Sequence, residues 1–310
     1  MAQAKLPQGR IDVHYHIAPP GWAEALERRG SLNSVWRQWS VGKAVEDMDR
    51  DGVAHAIVSI TTPGVTFADA ATARRLAREC NEFAARMRAD YPGRFGLFAV
   101  LPMPDLDASL GEVAFALDEL EADGIGLLTS YDGKWLGDPA LAPLFDELNR
   151  RKALVYTHPT APECCRNLVA GVPSPVVEYG TDTSRSIAQL VLTGAASRYG
   201  DIRFIFSHAG GTVPFLAERL VFEARHHAHL ADAPLAALGR FYYDTAQAAI
   251  APPMAALRHV APLSHILFGT DYPYRTAAEH AEALRQCGVF AELEIAAIER
   301  GNALALLAGR

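Results

Sequence analysis

The stretch Ile11-Asp12-Val13-His14-Tyr15-His16 alternates apolar and polar residues and ends on two histidines spaced by one position. In a β-strand, residues two apart project to the same side. His14 and His16 therefore share a face at the carboxyl end of a first strand. Working outward, further runs of strand length occur at Ala54–Ile60, Phe95–Leu101, Gly124–Thr129, Ala153–Thr157, Arg203–Ser207, Phe241–Thr245 and His265–Gly269. Helical patterns fall between them, at Thr72–Ala89, Leu106–Glu121, Pro139–Arg150, Thr183–Ser197 and Pro214–His226. The first of these places Ala73, Leu76, Ala77, Cys80 and Phe83 on one stripe, as a covering helix requires.

Strands alternating with helices predict an α/β fold, and eight such units close most simply as a (β/α)8 TIM barrel. Strands buried on both faces explain why Ile205-Phe206 and Ile266-Leu267-Phe268 do not alternate with polar residues. A doubly wound open sheet would carry a glycine-rich phosphate loop after an early strand, and none is present. The segment Pro19–Gly42 is longer than an ordinary βα connection and reads as an insertion after strand 1, over the barrel mouth. With no repeat, low-complexity tract or linker, residues 1–310 are expected to form a single barrel domain.

Half of the chain is apolar and 21% charged, enough to build a large core without a staple. The net charge of −7, with acids and bases intermixed, argues against nucleic acid as a partner. No apolar run reaches membrane-spanning length, and Met1–Arg10 lacks the apolar centre of a signal peptide. Cys80, Cys164, Cys165 and Cys287 form no repeated framework. The adjacent pair Cys164-Cys165 would bridge only with strain, so all four are read as structural residues of a protein in a reducing cytoplasm.

The informative residues sit where strands end. His14 and His16 close the first strand, and His158 follows Ala-Leu-Val-Tyr-Thr. His208 lies in Phe-Ser-His-Ala-Gly-Gly, and Asp271 in Leu-Phe-Gly-Thr-Asp-Tyr-Pro. Barrel enzymes build their active sites at the carboxyl ends of the strands. Costly polar groups converging on one mouth need a shared reason, and a divalent metal supplies it. Neutral imidazoles with a carboxylate suit zinc first, and manganese or ferrous iron at higher coordination number. His14, His16, His158 and Asp271 are the expected ligands. The remaining histidines (His55, His226, His227, His229, His259, His265 and His280) have no such partners and read as solvated or packing residues.

The set Asp-Val-His-Tyr-His, Thr-His-Pro, Ser-His-Ala-Gly-Gly and Gly-Thr-Asp-Tyr-Pro resembles the amidohydrolase superfamily, over nearly the whole chain. It is most similar to the branch of aminocarboxymuconate semialdehyde decarboxylase and γ-resorcylate decarboxylase. Segments Arg94–Pro104, Asp123–Asp138 and Glu178–Ser186 further resemble 6-methylsalicylate decarboxylases. The resemblance implies that His14, His16, His158 and Asp271 hold one metal, with His208 as acid/base beside it. The fourth strand, Gly-Ile-Gly-Leu-Leu-Thr-Ser, has no lysine, so the carbamylated bridge of two-metal relatives has no candidate. Retention of His14, where some γ-resorcylate-type members carry glutamate, points towards the semialdehyde decarboxylases.

The same resemblance assigns a substrate-carboxylate arginine to Arg219, eleven residues after His208. If its helix starts near Pro214, that arginine lies about 7–8 Å along it, moving away from its own mouth, at 1.5 Å per residue. It is better placed to serve a neighbouring subunit, which implies a homodimer; the bland reading pairs it with Glu218 or Glu223. Arg37, whose planar fork suits carboxylates, is a second substrate-binding candidate. Tyr15, Tyr131, Trp135 and Tyr272 are aromatic candidates for the pocket wall, although core packing would explain them equally well.

The implied activity is non-oxidative decarboxylation of a hydroxylated aromatic or conjugated acid, a carboxy-lyase reaction. His208 would manage the proton, Asp271 would assist as a metal-bound catalytic group, and no organic cofactor is needed. The alternative is a lactonase or amidohydrolase with Asp271 as general base towards water. A non-catalytic barrel would be expected to have lost ligands, and every one is intact.

Overall fold

The structure, a computed structural model, describes residues 7–230 and 233–309. The reading of the amino-terminal stretch falls mostly on residues 1–6 and lies outside the described residues. The strands are β1 (Arg10–His16), β2 (Val53–Ser59), β3 (Phe95–Val100), β4 (Gly124–Leu128), β5 (Ser130–Tyr131), β6 (Lys134–Trp135), β7 (Leu154–His158), β8 (Arg203–Phe206), β9 (Tyr242–Asp244) and β10 (Ile266–Leu267). Eight of them form one sheet in the order β1-β2-β3-β4-β7-β8-β9-β10, every neighbour parallel.

The sheet closes on itself. The Val13 amide donates to the Phe268 carbonyl (3.0 Å), the Asp271 amide to that of His14 (3.0 Å) and the His16 amide to that of Tyr272 (2.9 Å). Closure leaves no open sheet edge. Inside, Ile11, Ile57, Phe98, Tyr156, Ile205 and Leu267 pack together, joined by Leu306 and Leu307 of the carboxyl-terminal helix Asn302–Ala308. Outside, a second buried layer lies between strands and helices, with Val58, Ile125, Val155 and Phe204 against Met48, Ala84, Leu144 and Leu190.

Local sequence explains the elements that matter for the mouth. The helix Ala70–Asp90 starts at Asp69, whose carboxylate accepts from the Thr72 amide (3.1 Å) and satisfies one orphan donor. The inserted segment folds as two short helices, Pro20–Arg28 and Ser34–Arg37. Trp22 is buried there and donates its indole N–H to the Gly64 carbonyl in the loop after β2 (2.7 Å). Trp36 packs on Tyr274, in the loop after β10, at 5.7 Å between rings. The insertion is thus pinned to two loops of the barrel mouth.

Boundaries differ in instructive places. His158 is the last residue of β7 rather than the first beyond it. The helix expected at Thr183–Ser197 runs Ser174–Leu192, with Pro175 in its first turn, where a missing N–H is harmless. It ends ahead of Gly194, whose φ of 78° starts a separate short helix, Ala195–Arg198. The hairpin β5–β6 was not anticipated, although Asp132-Gly133 is the tight-turn pair for which φ is positive twice (48° and 74°).

Candidate metal centre

Three strand ends bring the cluster together. β1 supplies His14 and His16, β7 supplies His158, and Asp271 follows β10, held by its backbone bond to His14. One ligand atom from each of the four lies within 4.8 Å of the others. His14 Nε2 and His16 Nε2 each stand 3.2 Å from Asp271 Oδ1, and 3.0 Å from one another. All four side chains are buried.

Their outer contacts determine what these atoms offer. His158 Nδ1 faces the Pro159 carbonyl at 2.8 Å. A carbonyl only accepts, so Nδ1 carries the hydrogen and Nε2 presents its lone pair. His14 Nδ1 faces Asp244 Oδ2 at 2.9 Å, and His16 Nδ1 faces Ser59 Oγ at 3.2 Å. Burial disfavours charge on Asp244, yet His14 keeps its carboxyl below the ordinary range, so it accepts from His14. The result is imidazole lone pairs converging with Asp271 Oδ1, a buried oxygen with no hydrogen-bond donor. Leaving one such atom unpaired costs about 1–3 kcal/mol. A divalent cation among three nitrogens and one oxygen resolves the conflict, and the donor set fits zinc-type coordination.

Charge follows the same logic. Burial, reinforced by His16 and His14, pushes the His158 pKa well down, which suits a neutral ligand. Burial likewise lowers His16. Burial also opposes charge on His14, but Asp244 and Asp271 hold its pKa up at about 10, so a proton competes with the cation there. Burial would raise Asp271, yet His14 and His16 keep it well below the carboxylate range.

Asp244 links this cluster to His208. Its Oδ1 accepts from the backbone amide of His208 (2.9 Å) while Oδ2 holds His14. His208 lies two residues past β8 with φ of 54°. The following turn passes so close to the helix Ser174–Leu192 that a Cβ on Gly211 would lie 2.1 Å from the Gly180 carbonyl oxygen. That approach accounts for the second glycine of the Ala-Gly-Gly after His208. His208 Nε2 stands 3.4 Å from Asp271 Oδ2, and its Nδ1 is buried without a partner. Gln247, also at positive φ (53°), donates to the same Asp271 Oδ2 at 3.2 Å.

Changing Asp244 to asparagine preserves shape but replaces a charged acceptor with a neutral one. Outer partners of metal-ligating histidines are worth about 10–100-fold in metal affinity. Chelator competition on Asp244→Asn should show a loss of that order; unchanged affinity would remove Asp244 from the account.

His14, His16, His158, His208 and Asp271 are thus brought together, and two other candidates are not. Arg37 is largely exposed and ion-paired with Glu27 at 2.6 Å. Arg219 is exposed on the helix Val213–Ala224 and forms no ion pair with Glu218 or Glu223. Tyr15 and Tyr272 stack on one another at 4.0 Å, with their hydroxyls donating to the Ala44 carbonyl and Asp47 Oδ2, so they pack towards the helix layer. Trp135 donates its indole N–H to Asp182, and Tyr131 lines a recess beside His158. Sequence reasoning missed Asp244, Gln247 and Tyr179, whose ring lies 6.0 Å from that of His158. Asp244 carried a signal: it is a carboxylate at a strand end in Tyr-Tyr-Asp-Thr, the same feature that marks Asp271.

A closed parallel barrel with three histidines and an aspartate at its mouth defines a metal-dependent hydrolase-type scaffold. The chain belongs to the amidohydrolase family, which it matches over residues 11–308. It is 36% identical to a 6-methylsalicylic acid decarboxylase of Aspergillus aculeatus, across 94% of this chain and 91% of that one. It is 38% identical to a decarboxylase of Aspergillus niger, across 86% of this chain and 77% of that one. Its fold matches that of 5-carboxyvanillate decarboxylase from Sphingomonas paucimobilis with a TM-score of 0.88, at 21% identity and covering 97% and 99% of the two chains.

Proposed function

We propose that this protein is a metal-dependent, non-oxidative decarboxylase of hydroxylated aromatic acids, with 6-methylsalicylate as the first substrate to test. The observation that carries the reading is His208: it stands beside the ligand cluster with one ring nitrogen unpartnered. The relatives named decarboxylases support it. A divalent ion in the His14, His16, His158 and Asp271 set would supply Lewis acidity towards substrate oxygens. Zinc is the first candidate and manganese the second, because three imidazoles favour the former and the carboxylate admits the latter.

The chain's own residues then handle the proton. His208 offers an imidazole as acid/base beside the metal cluster, where the reacting ring would lie. A proton delivered to the carbon that bears the carboxylate interrupts aromaticity. The carbon–carboxylate bond then breaks, its electron pair restores the ring, and CO2 leaves. The ortho hydroxyl acts as the electron reservoir, so no organic cofactor takes part. Asp244 holds His208 in place through the backbone, and Gln247 and His208 both approach Asp271 Oδ2. That last contact weighs against the hydrolytic alternative, in which Asp271 would need a free oxygen to take a proton from water.

The functional assembly is a homodimer in this reading. The helix Val213–Ala224 exposes Phe215 (67%) and Phe222 (57%) on either side of Arg219. Val176 and Val177 are exposed on the helix Ser174–Leu192, which packs against it. An apolar surface of this kind marks an interaction face, and a second copy would carry Arg219 to a partner's substrate. Four cysteines, none of them paired, fit a reducing cytoplasm. No described helix is long and apolar enough to cross a membrane.

The test is CO2 release from 6-methylsalicylate by metal-loaded protein, alongside a chelator-stripped sample. Release from the loaded sample alone is expected. A loaded sample inert towards hydroxybenzoates but active on lactones would move the hydrolytic reading to the front.

A further inference from the structure

Beside the metal cluster, a small recess opens between the ends of β2, β3, β4 and β7. Ser59, which contacts His16, and His158 itself form the part nearest the ligands. Val65, Phe98, Leu101 and Leu128 are among the apolar residues of the remaining wall, and all four are buried. Its free volume of about 20 Å³ accommodates a single group of water or methyl size.

Gly126, on its border, carries no side chain. It lies in the middle of β4 and is the one residue of that strand that is half-buried rather than buried. It pairs with Tyr156 in the neighbouring strand and borders the recess. A Cβ at this position would meet Phe98 Cβ and its carbonyl oxygen at 3.6 Å, which is ordinary contact. The backbone therefore does not demand glycine here; an alanine would fit the fold and take up part of the recess.

We propose that this recess seats a small alkyl substituent carried by the aromatic ring of the substrate, and that Gly126 sets the size accepted. The inference rests on the aromatic-acid reading above and adds to it the determinant of ring substitution. A largely apolar hollow of one-group size favours a methyl over a hydrogen, which leaves a void, and over longer chains, which clash. Polar groups also border it, Ser59, Thr66 and His158 among them, and the hydroxyl of Tyr156 is buried there without a partner. A water or a ring hydroxyl bonded to Tyr156 is the competing occupant.

The experiment compares kcat/KM for salicylate, 6-methylsalicylate, 6-ethylsalicylate and 2,6-dihydroxybenzoate in the metal-loaded wild type and three variants. Gly126→Ala should lower the ratio of 6-methylsalicylate to salicylate about 10-fold or more, the scale of one methylene in an apolar pocket. Metal content and melting temperature should stay unchanged. Val65→Ala, which widens the same hollow, should raise 6-ethylsalicylate relative to 6-methylsalicylate, and Tyr156→Phe should leave the methyl preference intact. An unchanged ratio in well-folded Gly126→Ala overturns the proposal. So does a preference for 2,6-dihydroxybenzoate that disappears in Tyr156→Phe. If the wild type releases no CO2 from any of these acids, the decarboxylase reading fails on its own. Calorimetric binding of the same acids then decides the recess, with loss of methyl preference in Gly126→Ala expected and absence of binding overturning it.

Discussion

Replacing His208 with alanine should reduce CO2 release from an ortho-hydroxybenzoate by about 10²–10⁴-fold, the usual contribution of a positioned acid or base. The metal should stay at full occupancy. None of the proposed ligand atoms belongs to His208, whose ring Nε2 stands 3.4 Å from Asp271 Oδ2. Metal analysis and steady-state rates on one preparation separate the two effects, and a variant with wild-type turnover would end the proton role. The same variant tests the dimer. Mixed with inactive Arg219→Ala protein under proven subunit exchange, it should recover part of the activity, because one mixed site would hold both an intact His208 and a partner's Arg219. No recovery would count against sharing across subunits.

Alanine at Asp271 or at His14 should abolish stoichiometric metal, with affinity falling beyond the 10–100-fold typical of outer partners alone. Activity should disappear with it. The two variants should differ in stability. His14→Ala leaves Asp244 Oδ2, a fully buried carboxylate oxygen, without its histidine. That omission should cost roughly 1–3 kcal/mol, read as a lower urea midpoint in the metal-free protein. Asp271→Ala removes the buried oxygen that has no donor, so its metal-free form should lose less. Retention of one equivalent of metal by either variant would sink the ligand assignment.

Much of this molecule was legible in the chain because two periodicities report on it directly. Strand-length apolar runs alternating with helical stripes require a parallel sheet covered on both sides, and each of the eight strands lies within a residue or two of its expected position. The polar residues at the strand ends were legible for the same reason: a barrel puts its strand ends at one mouth, so position along each strand already locates His14, His16, His158 and Asp271. The Asp132-Gly133 turn was also present in the sequence, and was passed over because four strand residues make too short a periodic signal.

Other features depend on contacts between residues far apart in the chain, which no local pattern encodes. Asp244 is 230 residues from His14, and only closure of the barrel places its carboxylate against Nδ1. Gln247 reaches Asp271 through a strained backbone rather than through any motif. Arg37 looked like an anchor from its residue type, but Glu27, ten positions away on the neighbouring short helix, lies within ion-pair distance once the insertion folds. The recess at Gly126 is an absence of atoms between four strands, visible only when their side chains are packed together. Sequence by itself determined the barrel and the polar side chains that converge on its mouth, since both follow from periodicity and strand position. The tertiary structure alone decided which groups orient those side chains and what volume is left beside them, since orientation and volume arise from long-range packing.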